Sequence, residues 1–226
     1  MRDQFIPTIN YQKLLALVAD LLGRILGLEM ATLIARAGSG KSVACRRIAA
    51  MNPLVILVSF AGWLSSAGIL REIAFAVAGA RPRSTQACFD LLERGMNDSR
   101  RLIMVDESDR MSLRHLNILR DLHDRLSVPI ILVGEEVLRS KLCQERRLIS
   151  RISHELVFQP VAAADVCLFY QRNLDLEVST KAAGALTAHA QGDFRLVVKD
   201  ALRIERSMKA SGLSGITEDL VREICK

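Results

Sequence analysis

The segment Ala35-Arg36-Ala37-Gly38-Ser39-Gly40-Lys41-Ser42 gathers residue types suited to gripping a chain of phosphates. Gly38 and Gly40 let the backbone wrap closely and turn its N–H groups toward phosphate oxygens. A helix expected to open at Lys41 adds a dipole that favours an anion at its N-terminus. Lys41 is placed to reach the β- and γ-phosphates of ATP, and the Ser42 hydroxyl to ligate Mg²⁺. The spacing is that of a GxxxxGK[ST] loop with Ala35 at the first glycine position, where a strand ends and a Cβ is accommodated. A second constellation is Leu102-Ile103-Met104-Val105-Asp106-Glu107, an apolar run closed by two carboxylates. A run so apolar belongs in the centre of a sheet, and ligands sit at the carboxyl ends of strands in open α/β sheets. Asp106 is suited to holding the metal through water, and Glu107 to orienting and deprotonating an attacking water.

These residues need a scaffold that aligns several strand ends, and the rest of the sequence supplies one. Short apolar runs alternate with amphipathic stretches, which implies a mostly parallel α/β sheet sandwiched by helices. Strands are expected at Ala31–Ala35, Leu54–Ser59, Leu102–Val105 and Ile130–Val133, with a short fifth at Leu156–Phe158. Helices are expected at Tyr11–Leu28, Lys41–Met51, Ser66–Gly79, Ser84–Met96 and Ser112–Leu126. The apolar stripe of the first is expected to pack within the molecule. After Pro160 the strand-like runs stop. Helices are expected near Ala162–Leu174, Thr180–Gln191, Phe194–Lys209 and Thr217–Cys225, the third capped by Asp193 and the fourth by Thr217. The division is therefore an α/β nucleotide-binding domain with an N-terminal linker helix over residues 1–159, and an all-α lid over 160–226.

Composition narrows the class further. The chain has 226 residues, half of them hydrophobic, enough for a sizeable core and too apolar for global disorder. The richest apolar stretch, Leu54–Leu64, is about half the roughly 20 residues that span a bilayer. The N-terminus is too polar for a signal peptide, so a cytoplasmic location is expected. Cys45, Cys88, Cys143, Cys167 and Cys225 are scattered and form no CxxC pair, which fits reduced thiols better than a disulfide framework or a zinc site. The four histidines lack metal-ligand spacing. Thirty-one basic residues against 25 acidic give a net charge of +6, a mild bias toward an anionic partner such as nucleic acid.

Together, the glycine loop, the Asp106-Glu107-Ser108-Asp109 strand end and the helical C-terminal part resemble an AAA+ ATPase over about residues 10–210. Ile130-Ile131-Leu132-Val133-Gly134-Glu135-Glu136-Val137-Leu138 resembles the strand and following helix that carry the sensor 1 residue, with Glu135 at about that point in place of the usual Asn or Thr. Gly192-Asp193-Phe194-Arg195 is similar to the GD-x-R of initiator-type members, which implies that Arg195 is the sensor 2 arginine. The segment Arg146-Arg147-Leu148-Ile149-Ser150-Arg151 stands where an arginine of this family reaches a neighbouring subunit's γ-phosphate; Arg151 is the first choice and Arg147 the second. Within AAA+ the chain looks most like the transposition target-selection ATPases typified by the phage Mu B protein. That resemblance implies an ATP-driven ring or helical filament on duplex DNA that recruits and activates a transposase and disassembles on hydrolysis, in a bacterial or phage-infected cytoplasm.

About 30 residues precede the glycine loop, so DNA contact is expected from the ATPase domain itself or from a partner. Arg81, Arg83, Arg100 and Arg101 flank the helices before the acidic strand and are the candidates; Arg110 and Arg114 lie in the same part of the chain. Trp63, after the second strand, is expected to pack into the core rather than to stack on a partner or a base. Two other readings are an initiator- or helicase-loader-like ATPase, and an NTPase switch that recruits proteins without binding DNA.

Overall fold

A computed structural model describes residues 2, 4–23, 30–97, 100–211, 216 and 221–223. These residues form two compact units, one of residues 13–35 and 41–157, the other of residues 1–12, 36–40 and 158–226.

The first unit is built on five strands, β1 (Met30–Ile34), β2 (Val55–Ser59), β3 (Leu102–Asp106), β4 (Ile130–Gly134) and β5 (Ile152–Val157). They form one sheet in the order β2-β3-β4-β1-β5, and every pairing is parallel. β1, β3 and β4 are buried at every position, as strands covered on both faces must be. Alternate residues face opposite ways. Met30, Ile34, Ile56, Val58, Ile103, Val105, Ile130 and Leu132 share one core with Ile69, Leu70 and Ile73 of α3 (Ser66–Ala78), Cys88 and Leu92 of α4 (Thr85–Asn97), and Leu116, Leu119 and Leu122 of α5 (Leu113–Leu126). α2 (Lys41–Met51) packs on β2 and β3 and buries Ala44, Cys45 and Ile48. α1 (Ile9–Gly23) buries Leu14, Val18 and Leu21, the intramolecular stripe anticipated from the sequence. The remainder of that expected helix, residues 24–28, lies outside the described residues.

Two expectations are corrected here. The fifth strand begins at Ile152 rather than Leu156, and it alternates half-buried and exposed residues. It lies at the sheet edge and carries His154 and Glu155, so no apolar run marks its start. Trp63 is not in the core: 82% of its surface is exposed. It stands in a turn closed by the Leu64 N–H donating to the Ala61 carbonyl at 2.8 Å. α6 (Glu136–Cys143) and α7 (Arg146–Ile149) link β4 to β5.

The second unit contains α8 (Ala163–Leu174), α9 (Thr180–Ala190) and α10 (Phe194–Ser211). Val166, Phe169, Tyr170, Ala182, Leu186, Val197, Ala201 and Ile204 form its core, and Ile6 joins them. Residues of the N-terminal segment are tied in by Asn173, whose amide pairs with the Gln4 backbone in both directions. The expected cap Thr217 lies outside the described residues, whereas Val221–Glu223 are helical. No helix among the described residues is long and apolar enough to cross a membrane.

Candidate nucleotide site

Gly38 and Gly40 have φ of +75° and +86°, left-handed conformations that residues with a Cβ adopt at a cost. That geometry ends the loop at Lys41, the first residue of α2, leaving Ser42 in the helix's first turn. Upstream, the Ala35 N–H donates to the Gly134 carbonyl at 3.0 Å, which fixes the start of the loop to the end of β4. Gly38 is also held from the second unit's own residues: its carbonyl accepts from the Phe194 N–H at 2.8 Å, and the Asp193 carboxylate fills the space where a Gly38 Cβ would stand. The Arg195 N–H donates to Asp193 Oδ1 at 2.7 Å, so Asp193 opens α10 as the sequence implies, and the Arg195 side chain is exposed. Arg36, Ala37 and Ser39 complete the loop, whose turn includes the Ser39 N–H donating to the Arg36 carbonyl at 3.3 Å.

Lys41 is 7% exposed, and its Nζ lies 3.6 Å from Glu135 Oε1. A buried ammonium needs an anion, and here a carboxylate at the start of α6 serves. Asp106, 5% exposed, ends β3 with Oδ1 accepting the Glu107 N–H at 2.9 Å. Burial pushes the Cys45 thiol up to about 12, with the Asp106 charge adding to it and the Lys41 charge opposing. Cys45 is thus an un-ionised thiol, and both charges act at this point of α2.

Glu107 is held with φ +60°, a left-handed conformation unusual for a side chain of this size. The chain turns there into the short 3₁₀ helix Ser108–Arg110, which the buried Ser108 hydroxyl secures by donating to the Val105 carbonyl at 2.7 Å. Glu107 is half-exposed, with Arg110 Nη1 4.0 Å from its Oε2. Asp109 Oδ1 accepts the Glu135 N–H at 3.2 Å, and the Lys141 ammonium donates to the Asp109 and Met111 carbonyls. The ends of β3 and β4 are therefore joined through residues 109, 135 and 141. Sequence reasoning included Asp109 in the Asp106–Asp109 run without giving it a role, and did not single out Lys141.

The donors fit magnesium. Ser42 and Asp106 offer a hydroxyl and a carboxylate, hard oxygens of the kind that hold a cation which keeps its waters and its phosphate ligands. No cluster of three or more His, Cys, Asp or Glu suited to a metal occurs among the described residues, so a dedicated protein cage is absent there.

The arginines behave differently. Arg151 is bound to Asp124 of α5, Nε to Oδ1 at 3.0 Å and Nη2 to Oδ2 at 2.8 Å, and Nη1 donates to the Arg147 carbonyl. The Arg151 hydrogen bonds hold the Asp124 carboxyl below its ordinary range, against the opposing effect of burial. Arg81 pairs with both Glu72 oxygens at 3.0 Å and lies over the Phe75 ring at 3.7 Å. Arg101 donates to the Val77 carbonyl, and the Arg83 carbonyl accepts from Arg71. Arg83 is exposed and Arg100 half-buried.

A parallel sheet in this order, with a glycine loop at the end of β1 and an Asp-Glu pair at the end of β3, defines a P-loop NTPase. The chain belongs to the AAA domain family, whose model matches residues 27–142. A "potential ATP-binding protein" of Staphylococcus aureus is 30% identical over 129 residues, 53% of this chain and 48% of that one, so the chain spans about half the length of that curated relative. Among solved structures, the Aeropyrum pernix ORC2 protein in ADPNP–ADP complexes matches with a TM-score of 0.67 at 17% identity, over all of this chain and 70% of that one. Drosophila ORC bound to DNA matches with a TM-score of 0.65 at 17% identity, over all of this chain and 63% of that one. At these identities the likeness is one of fold.

Proposed function

We propose that the chain is an ATPase whose nucleotide state governs assembly on duplex DNA, acting as a target-selection regulator of transposition. Its glycine loop, Lys41 and Arg195 bind ATP; Ser42 and Asp106 hold Mg²⁺, which screens phosphate charge when bound. Glu107 deprotonates the attacking water, with Glu135 beside Lys41 as the sensor. Arg151 completes a neighbouring subunit's site in a homo-oligomeric ring or filament, and a transposase is the recruited partner. Arg81, Arg83, Arg100 and Arg101 remain the proposed phosphate contacts of the helical layer. For Arg81 this requires giving up Glu72, and for Arg151 giving up Asp124.

The observation that supports the nucleotide reading is buried Lys41 at the end of the glycine loop, 3.6 Å from Glu135 at the end of β4, with Asp106 and Glu107 ending the adjacent strand β3. The DNA reading is supported by the net charge of +6 and by likeness of fold to a protein whose structure holds DNA. That likeness also favours a second reading, an initiator-like ATPase that loads other machinery.

Binding of a labelled duplex with and without ATP is the direct test. ATP-dependent binding is expected, with log K falling against log salt by about 0.9 for each phosphate neutralised. Equal affinity in both nucleotide states, or none at low salt, removes the DNA reading and leaves a protein-recruiting switch. Co-purification with a transposase rather than a helicase separates the first reading from the second.

A further inference from the structure

Lys141 stands in α6, whose Leu138 and Leu142 are buried in the core of the first unit, so the helix that carries its stem is fixed. Its half-buried ammonium donates to two main-chain carbonyls, those of Asp109 and of Met111, the latter at 2.8 Å, and to no carboxylate among the described residues. No described backbone N–H donates to either carbonyl. They lie at the open end of the 3₁₀ helix Ser108–Arg110, where the Ser112 N–H is turned aside to His115 Nδ1 at 3.2 Å. A lysine suits such a place, because three N–H groups on one point can bridge two oxygens.

That short helix follows directly on Glu107. The Glu107 side chain is 40% exposed and its nearest cation, Arg110 Nη1, is 4.0 Å away, so no close contact fixes the carboxylate. Its direction is set by the backbone instead. Glu107 holds φ +60°, its N–H donates to Asp106 Oδ1 at 2.9 Å, and its carbonyl accepts the Arg110 N–H at 3.1 Å. The Ser108 hydroxyl ties this turn to its own strand through the Val105 carbonyl. Lys141 and Asp109 tie it to the next strand: Asp109 Oδ1 accepts the N–H of Glu135, the residue before α6, and Lys141 reaches back from that helix.

We propose that Lys141 is a positioning residue for ATP hydrolysis, holding the turn after β3 against α6 and so keeping the Glu107 carboxylate aimed at the attacking water. Lys141 bonds to neither the glycine loop nor Lys41, so it acts on turnover and not on the grip on nucleotide. A displacement on the order of 1 Å at a positioned group costs about 10²-fold in rate, so a slackened turn registers in the chemistry before it registers in binding. The inference rests on Glu107 being the base, as read above, and adds the residue that aims it.

The test is a double-mutant cycle in the whole chain. It reads ATP turnover at saturating ATP and Mg²⁺, and nucleotide affinity with a fluorescent analogue. Lys141→Met keeps the stem and removes the donor. It is expected to lower turnover about 10- to 100-fold while affinity stays within about 3-fold of wild type. Lys141→Arg, which can still donate to the carbonyls, is expected to recover most of the loss. In a Glu107→Gln background no base is left to aim, so adding Lys141→Met is expected to change the residual turnover by less than about 2-fold. A residue that merely supported the fold would slow both backgrounds alike. Wild-type turnover in Lys141→Met, an equal loss in both backgrounds, or a loss of affinity as large as the loss of turnover overturns the proposal and leaves Glu107 in its role. Glu107→Gln turning over like wild type removes the base reading, and the proposal with it. If thermal unfolding shows that Lys141→Met does not fold, Lys141→Gln, shorter and neutral but still a donor, is read in the same cycle by the same criteria.

Discussion

Charged side chains at the ends of β3 and β4 and charged side chains on the outer helices are held in different ways. Lys41, Asp106, Glu107 and Asp109 are fixed largely by backbone: a helix start, two left-handed glycines, a left-handed glutamate and N–H donors to both aspartates. Arg81, Arg139 and Arg151 are fixed by carboxylates, namely Glu72, Glu155 and Asp124. The first arrangement pairs its charges only at long range, Lys41 with Glu135 at 3.6 Å and Glu107 with Arg110 at 4.0 Å, while the backbone holds their positions. The second satisfies charge within the chain, so a partner must displace an existing ion pair. Costly backbone beside loosely paired charge is what a functional site is expected to show, whereas close pairing of the kind at Arg81, Arg139 and Arg151 is what a surface shows.

The largest effect that separates these regions is expected at Glu107. Glu107→Gln keeps the shape and loses the base, so ATP still binds while turnover falls about 10²-fold or more. Glu107→Gly is expected to lose turnover too, yet to raise stability by roughly 1 kcal/mol, because glycine accepts φ +60° without the Cβ penalty. A Glu107→Gly protein no more stable than wild type would show that the left-handed residue carries no strain. Next in size is Lys41→Ala. Losing a charge-assisted contact to phosphate is expected to cost about 1.5–3 kcal/mol, or about 10- to 150-fold in nucleotide affinity, read with a fluorescent analogue. Unchanged affinity would place Lys41 outside the site and leave its 3.6 Å approach to Glu135 a structural pair.

Much of the central sheet was legible because burial on both faces leaves uninterrupted apolar runs. β1, β3 and β4 show this, and α2 starts at Lys41 as the glycine spacing implies. β5 was legible only at its end, since an edge strand needs one covered face and admits His154 and Glu155. The loop residues and the Asp106–Glu107 pair could be read from local spacing. The approach of Glu135 to Lys41 and of Asp109 to the start of α6 could not, because both depend on β4 lying between β3 and β1. Trp63 was misread for a related reason: a ring type that is usually buried says nothing about the direction in which a turn points it.

A smaller effect is expected where the two strand ends meet. Gly134 lies so close to the 3₁₀ helix that a Cβ there would stand 2.7 Å from Asp109 Oδ1 and 2.9 Å from the Asp109 nitrogen. Gly134→Ala must push residue 109 away, at a cost of about 1–3 kcal/mol by analogy with overpacking. Because Asp109 joins β3 to Glu135, the same substitution is expected to disturb nucleotide binding. An unfolding free energy within about 0.5 kcal/mol of wild type would show that the junction gives way freely.

The smallest effect is expected from the ion pair between Arg151 and Asp124. Both side chains are more than a third exposed, so the pair is worth only about 0.2–1 kcal/mol in the usual range for surface pairs. Its pH dependence has a definite sign. The Arg151 hydrogen bonds lower the carboxyl's folded pKa below its unfolded value, so the stabilisation is present above the ordinary carboxylate range and is lost as pH falls through the folded pKa. Asp124→Asn is thus expected to melt slightly below wild type at pH 7, with the gap closing as the solution is acidified below about pH 4. If Arg151 serves a neighbouring subunit, freeing it from Asp124 also removes a competitor. Asp124→Asn is then expected to keep or raise ATP turnover in the assembled state even as the isolated chain loses stability. Mixing Arg151→Ala with Lys41→Ala is expected to restore part of the turnover, since one composite interface keeps both groups. A mixture that co-assembles yet stays inactive would return Arg151 to the surface class, paired to Asp124 and nothing more.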